Sequence, residues 1–119
     1  MTNTPPNTTM KGYPVQIIIP MSGFGERFRR AGYSIPKPLI EIDGKPIVAH
    51  VIDMVPGEQD FIFICNQDHL DHVDYRMAAI LEQYCPTGRI VGIPSHKLGP
   101  VHAVRQVEQL IDPVRPVVV

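Results

Sequence analysis

The sequence predicts an α/β fold in which a mostly parallel sheet carries helices on its faces. Short, nearly continuous runs of β-branched and other apolar residues alternate with segments in which apolar residues recur every three or four positions. A strand that is apolar on both faces is typical of a parallel sheet covered on both sides. Regular alternation of such strands with helices is the pattern of βαβ units.

The chain divides into a predicted tail and one predicted domain. Residues 1–12 carry Asn, Thr and Pro without apolar periodicity and are predicted to be disordered, so the domain covers residues 13–119. Its first strand, at residues 15–19, is predicted to end at Pro20. A long segment rich in Gly, Pro and charge follows at residues 23–38. Loops of this length are uncommon inside a compact domain and are usually functional, so this loop is the first place to look for a site.

The later elements are predicted from the spacing of apolar residues and from turn-forming residues. Asp43-Gly44 predicts a turn, and Pro46 suits the first turn of a helix that stops before Pro56-Gly57. The clearest amphipathic pattern predicts one helix over residues 70–84. The last strand finishes the chain without a polar cap, so we expect the native fold to continue beyond Val119. The other predicted elements are an extended segment at 39–42, strands at 61–65, 90–93 and 117–119, and a helix over 101–111.

Composition excludes several classes of protein. Eleven basic residues stand against twelve acidic ones, which gives no support for a nucleic-acid or anionic-membrane partner. No apolar run is long enough to cross a bilayer, and the N-terminus does not resemble a signal peptide. Cys65 and Cys85 show no C-x-x-C spacing and are predicted to be small buried hydrophobes. We therefore expect a reduced, cytoplasmic protein.

The stretch that carries chemistry is the turn Ser22-Gly23-Phe24-Gly25, which leaves the carboxyl end of the first strand. Glycines let backbone N–H groups approach phosphate oxygens, and ligands of open α/β sheets bind at this edge. Arg27 adds a planar fork suited to phosphate, and Lys37 adds a point charge between two prolines. The pattern predicts a site for a polyanion. Position 28 is Phe and no G-K-[ST] occurs, so a dinucleotide fingerprint and a P-loop are both excluded.

Three further segments extend this pattern. Residues 36–39 read Pro-Lys-Pro-Leu, residues 44–47 read Gly-Lys-Pro-Ile, and residues 97–104 form a glycine-containing turn after the third predicted strand. In this order and spacing, the chain resembles the sugar-phosphate nucleotidyltransferase family, whose signature runs G-x-G-[ST]-R, P-K-P-[LM], a short strand, G-[KRQ]-P-[IL] and a G-T-A-x-A-like turn. The resemblance covers about residues 15–119.

The resemblance implies a Rossmann-like, GT-A-like fold, of which this chain is the N-terminal nucleotide-binding part, truncated on its C-terminal side. It also implies transfer of a nucleoside monophosphate from a nucleoside triphosphate to a sugar-1-phosphate, giving a nucleotide sugar and pyrophosphate. Arg27 is implied to hold the pyrophosphate, and Lys37 to neutralise charge near the α-phosphate or the sugar phosphate. Mg²⁺ is the implied cofactor, with its ligands beyond Val119 and no metal ligand assigned within the chain. The implied nucleotide contacts are Met21, Ser22, Gly23, Phe24, Gly25, Glu26, Gly99 and Pro100.

Two positions depart from the family pattern. Glu26 stands where the family has Ser or Thr, and an inward-pointing carboxylate there would repel a triphosphate. Pro100-Val101 replaces Thr-Ala in the nucleobase turn, so base preference does not carry over. These departures leave two alternatives open: a non-catalytic nucleotide-binding or regulatory module, and an interaction domain that binds no nucleotide. The chain by itself is expected to be inactive as an enzyme.

Other polar residues have a structural and a functional interpretation. Lys45 is as compatible with a plain turn as with a ligand contact. His96 and His102 flank the nucleobase turn and are expected either to contact ligand or to be structural. His69 and His72 lie among aspartates, where a solvated helix start is favoured over a metal site. Arg29 and Arg30 are predicted to be solvated.

Overall fold

The protein is described by a computed structural model over residues 15–23, 30–32 and 34–119. The predicted tail therefore lies outside the described residues. The elements in chain order are β1 (Gln16–Met21), a 3₁₀ turn (Lys37–Leu39), β2 (Glu41–Ile42), β3 (Lys45–Pro46), α1 (Ile47–Asp53), β4 (Phe61–Asn66), α2 (Gln67–Asp71), a 3₁₀ turn (Val73–Tyr75), α3 (Met77–Tyr84), β5 (Arg89–Ile93), α4 (Gly99–Gln106), a 3₁₀ turn (Glu108–Leu110) and β6 (Val117–Val118).

Four parallel strands form the main sheet in the order β5–β4–β1–β6. The register places Ile17 beside Phe61 and Met21 beside Cys65. The predicted α/β fold with a parallel sheet is thus confirmed. Among the helices of the described residues, none combines the length and apolar character that a membrane span requires.

The central strand β4 is buried along its whole length because helices cover both faces of the sheet. Phe61, Phe63 and Cys65 face a core cluster that includes Met77 and Leu81 of α3. Ile62 and Ile64 face a second cluster that includes Ala103 of α4 and Val107 just after it. The alternation of β4 side chains between two cores explains why its sequence is continuously apolar from Phe61 to Cys65.

The two cysteines lie in the first of these cores as free thiols, as the sequence predicted. Burial raises the pKa of the Cys65 thiol to about 12, which keeps this side chain neutral at physiological pH. Both residues therefore act as small packing groups.

Strand β1 runs through Pro20, where the sequence predicted its end. The backbone N–H of Gln16 points to Pro116 on the β6 side, and that of Ile17 points to Asp60 on the β4 side. Because successive N–H groups of a strand point to opposite sides, the nitrogen of Pro20 faces the β6 side. In the described sheet, β6 pairs with Gln16 and Ile17 of β1, and Pro20 lies beyond these two residues. No pairing of β1 with β6 in the described sheet needs an N–H at this position, so the proline is compatible with the strand.

The single helix predicted over residues 70–84 is wrong. The structure has α2, a 3₁₀ turn and α3, separated by an extended residue at His72 and a left-handed residue at Arg76 (φ 52°). Val73, which the pattern assigned to the apolar face, is 85% exposed. The break lets α2 leave β4 directly while α3 turns Met77 and Leu81 into the core. Packing on the sheet has overridden a continuous helical pattern.

A short hairpin leads into α1. Asp43 and Gly44 both have positive φ, the conformation of a two-residue hairpin turn, which confirms the predicted turn. His50 donates from Nε2 to the carbonyl of Ile42 at 2.6 Å, and Lys45 forms an ion pair with Asp53. Lys45 is therefore engaged with α1, and the extended segment predicted from position 39 begins at Glu41 instead.

Candidate functional site

Three parallel strands end at one edge of the sheet, and polar residues follow each of them. Ser22 and Gly23 follow β1, Asn66 closes β4, and Ser95 and His96 follow β5. The carboxyl edge of an open parallel sheet is where such folds bind ligands. The sequence-predicted residues Ser22 and Gly23 thus lie in a polar cluster at the expected edge.

The ends of β1 and β5 meet although β4 lies between these strands in the sheet. Gly23 forms a parallel bridge with His96, beyond the point where β4 turns into α2. Apart from Gly23 itself and its chain neighbours, no described residue has an atom within 4 Å of the position that a Cβ on Gly23 would occupy. The described protein therefore leaves room beside this backbone for another group.

His96 connects the two loops through both ring nitrogens. The backbone N–H of Leu98 donates to Nδ1 at 3.1 Å, so Nδ1 carries no proton. The neutral ring then bears its proton on Nε2, which donates to Ser22 Oγ at 2.8 Å. Burial, followed by the nearby His102 ring at 4.6 Å, lowers the pKa of His96 and favours this neutral form. Sequence reasoning left His96 open, and the structure gives it a connecting role.

Asn66 supports the same edge and was missed by sequence reasoning. Its Oδ1 accepts from the N–H of Asp68 at 2.8 Å and caps α2, while its Nδ2 donates to Ser95 Oγ at 3.1 Å. An Asn between an apolar strand and a polar helix start is a recognisable capping signal. The side chain therefore fixes the β5 loop against the end of β4.

The predicted nucleobase turn lies directly after His96. Gly99 adopts φ +85°, a left-handed conformation that favours glycine, and it begins α4 with Pro100 in the first turn. Leu98 and Val101 on either side are 69% and 72% exposed. The turn thus combines backbone polar groups with exposed apolar side chains, a surface suited to a flat, partly apolar ligand.

The remaining predicted site residues fall in three groups. Lys37 is exposed on a 3₁₀ turn that is anchored by buried Leu39 and packs beside α1. The side chain of Met21 is packed in the core, which leaves its backbone for any ligand contact. The predicted residues outside the described part of the chain are Phe24, Gly25, Glu26 and Arg27.

The implied Mg²⁺ site has its expected ligands beyond Val119, so it stays a prediction. Within residues 15–23, 30–32 and 34–119, no three His, Cys, Asp or Glu side chains come together so as to hold a metal ion. Of the aspartates near α2, Asp71 accepts from Gln67 Nε2 at 2.9 Å, while the His72 and Tyr75 rings stack at 3.8 Å. No chemical step is therefore assigned to a metal in this part of the molecule.

Comparison with known proteins gives consistent relatives. The chain is 32% identical over 106 residues to the bifunctional protein GlmU of Burkholderia orbicola, covering 88% of this chain and 21% of that protein. It is 40% identical over 54 residues to the glucose-1-phosphate cytidylyltransferase of Salmonella typhimurium, covering 44% of this chain and 21% of that protein. The chain thus spans about a fifth of the length of these curated relatives. No family model matches it.

The fold has a solved counterpart. The nucleoside-diphosphate-sugar pyrophosphorylase from Vibrio cholerae RC9 superimposes with a TM-score of 0.54 at 23% sequence identity. The match covers 82% of this chain and 43% of the Vibrio chain. At this level of identity, the likeness concerns the fold, that is, the arrangement of the sheet and its helices.

Proposed function

Because this chain belongs to the sugar nucleotidyltransferase family, we propose that it binds a nucleoside triphosphate at the carboxyl edge of its parallel sheet. One observation carries the proposal. The start of the glycine segment at Ser22 and Gly23 is joined through His96 to the turn at Gly99 and Pro100. These are the two segments to which the family resemblance gives the phosphates and the base.

The proposed ligand suits the chemistry of each part. Backbone N–H groups of the glycine segment, together with Arg27, favour phosphate oxygens. The exposed apolar side chains of Leu98 and Val101 offer surface to a base ring. A nucleotide has both a polyanionic and a flat, partly apolar end, so it can use both segments at once.

The proposed reaction of the whole protein is nucleotidyl transfer. An oxygen of a sugar-1-phosphate attacks the α-phosphorus, the bond from that phosphorus to the bridging oxygen of the β-phosphate breaks, and pyrophosphate leaves. Arg27 holds the departing pyrophosphate, and Lys37 neutralises charge near the α-phosphate or the sugar phosphate. Positioning and electrostatic stabilisation supply most of the catalysis in phosphoryl-type transfers.

We expect the 119-residue chain to bind at least one of the four common nucleoside triphosphates weakly, with affinity that falls as salt is added. The salt dependence follows because cationic side chains and phosphates attract each other less at high ionic strength. Isothermal titration at low and high salt measures both quantities. Absence of binding to all four at millimolar concentration would contradict the nucleotide site.

A second candidate function is a nucleotide-binding or regulatory module without catalysis. Glu26 favours it, because a carboxylate replaces the hydroxyl that the family places beside the phosphate-binding arginine. A module of this kind binds nucleotide but makes no product. The two candidates therefore agree on the titration and differ on turnover.

The chain by itself is expected to release no pyrophosphate at an enzymatic rate. Attack at the α-phosphorus requires a cation fixed by protein carboxylates, and the described residues bring no such group together. Incubation with Mg²⁺, the four triphosphates and a panel of sugar-1-phosphates, followed by a pyrophosphate assay, measures this. Steady turnover would contradict the expectation and would also eliminate the non-catalytic candidate.

A further inference from the structure

We propose that His96 is a positioning residue whose Nε2–H tautomer holds Ser22, and with it the start of the glycine segment, in the geometry that receives a nucleotide. The inference rests on the proposed function of this edge. It concerns a residue outside the glycine segment, the Pro-Lys-Pro-Leu segment and the nucleobase turn that suggested that function.

His96 makes three contacts at this edge of the sheet. Its backbone bridges to Gly23, its Nε2 donates to Ser22 Oγ at 2.8 Å, and its Nδ1 accepts from the Leu98 N–H at 3.1 Å. One imidazole therefore touches both segments of the proposed nucleotide site. His96 therefore sets the spacing between the glycine segment, proposed to bind the phosphates, and the turn at Gly99 and Pro100, proposed to bind the base.

The two hydrogen bonds of the His96 ring each have a fixed direction. Because Leu98 supplies a donor to Nδ1, the ring can donate only from Nε2, and Ser22 Oγ must accept. Ser22 is 1% exposed, so water cannot readily replace the ring as its donor. The serine hydroxyl is thereby fixed in one orientation, with its own proton directed away from His96.

A fixed Ser22 orientation favours nucleotide binding. A backbone segment that must present N–H groups to phosphate binds more tightly when it is already held in the receptive geometry, since less conformational entropy is lost on binding. The residue after Ser22 is Gly23, which has little conformational restriction of its own. The Ser22–His96 hydrogen bond supplies the restriction that the glycine lacks.

Substitutions of His96 can remove either of its two ring hydrogen bonds separately. In His96→Gln the side-chain amide nitrogen reaches the place of Nε2 and keeps the donor to Ser22, whereas the acceptor for Leu98 is lost. In His96→Asn the side-chain oxygen takes the place of Nδ1 and keeps that acceptor, whereas the donor to Ser22 is lost. Ser22→Ala removes the same Ser22–His96 bond from the other end, and His72→Asn, at an exposed ring that stacks on Tyr75, is the matched control.

The experiment measures triphosphate affinity by isothermal titration for the 119-residue chain and these variants, using the triphosphate that binds best. We expect His96→Asn and Ser22→Ala each to weaken binding about tenfold, the size of one hydrogen bond. The double variant should be no weaker than either single one, because both remove the same interaction. His96→Gln should retain most of the affinity, and His72→Asn all of it.

A spectroscopic readout distinguishes positioning from mere stability. Side-chain ¹⁵N spectra of His96 should show a protonated Nε2 and an unprotonated Nδ1, before and after triphosphate is added. If circular dichroism shows that His96→Asn is unfolded, Ser22→Ala decides the affinity question, since it removes a smaller group. Wild-type affinity in folded His96→Asn or Ser22→Ala, or a protonated Nδ1, would overturn the inference alone. Absence of triphosphate binding by the parent chain would overturn the proposed function and this inference together.

Discussion

Replacing Gln16 with leucine is expected to lower the free energy of unfolding by about 2–4 kcal/mol, through loss of several buried hydrogen bonds. Gln16 is 1% exposed although it is polar. Its Nε2 donates to the carbonyls of Asp112 at 2.9 Å and Arg115 at 3.3 Å, and its Oε1 accepts from the Asp112 N–H at 2.7 Å. Leucine fills a similar volume but leaves these backbone groups without the partners that Gln16 provides.

Urea unfolding followed by circular dichroism measures this change. Gln83→Leu is the matched control, because Gln83 is exposed on α3 and the same substitution there should change stability by less than about 0.5 kcal/mol. Hydrogen exchange should also become faster at Val118, whose N–H faces β1 in the parallel register, since the segment that Gln16 holds leads directly into β6. Equal stability of Gln16→Leu and Gln83→Leu would show that the buried amide does not hold this segment.

Removing either cation of the proposed polyanion site should weaken triphosphate binding strongly. Each lost contact to a charged group is worth about 1.5–3 kcal/mol, so Arg27→Ala and Lys37→Ala should each reduce affinity about 10- to 150-fold. Arg27→Lys should also bind more weakly, because a planar fork is replaced by a point charge. Stability should change little in Lys37→Ala, since the side chain is exposed while its neighbour Leu39 anchors the turn.

The matched control for these variants is Arg30→Ala, which removes the same charge from an exposed position of the same loop. If the effect arose from net charge alone, Arg30→Ala would weaken binding as much as Arg27→Ala. Titration of each variant under one salt condition makes the comparison direct. Parental affinity in both Arg27→Ala and Lys37→Ala would show that the site has been assigned to the wrong loop.

The sequence predicted those features that local pattern determines. Strand β4 was predictable because both of its faces pack on a core, which makes Phe61 through Cys65 apolar. The turn at Asp43-Gly44 was predictable because few residue pairs adopt two successive positive φ values. The carboxyl edge that carries Ser22 and Gly23 was predictable because parallel strands bring their ends to one side.

Other features depend on tertiary packing and leave no local signal. Arg76 adopts a left-handed conformation that its residue type does not indicate, so the break between α2 and α3 could not be seen in the apolar pattern. Pro20 is accommodated because, in the described sheet, β6 pairs with β1 at Gln16 and Ile17 and does not reach Pro20. The sequence of β1 alone does not show where this pairing ends. The Ser22–His96 bond likewise joins positions 74 residues apart, and no motif links the two.

That separation along the chain has a consequence for the order of folding. Bringing Ser22 and His96 together requires that β1, β4 and β5 be already aligned, and closing so long a segment of chain is entropically costly. The contact should therefore form late, after most of the parallel sheet has condensed. A ligand that contacts both the Ser22 and the His96 loop binds only molecules in which the sheet is fully formed. Its binding therefore increases the free energy of unfolding of the whole domain. Ligand-dependent protection from proteolysis should consequently extend to β6, far from the bound molecule.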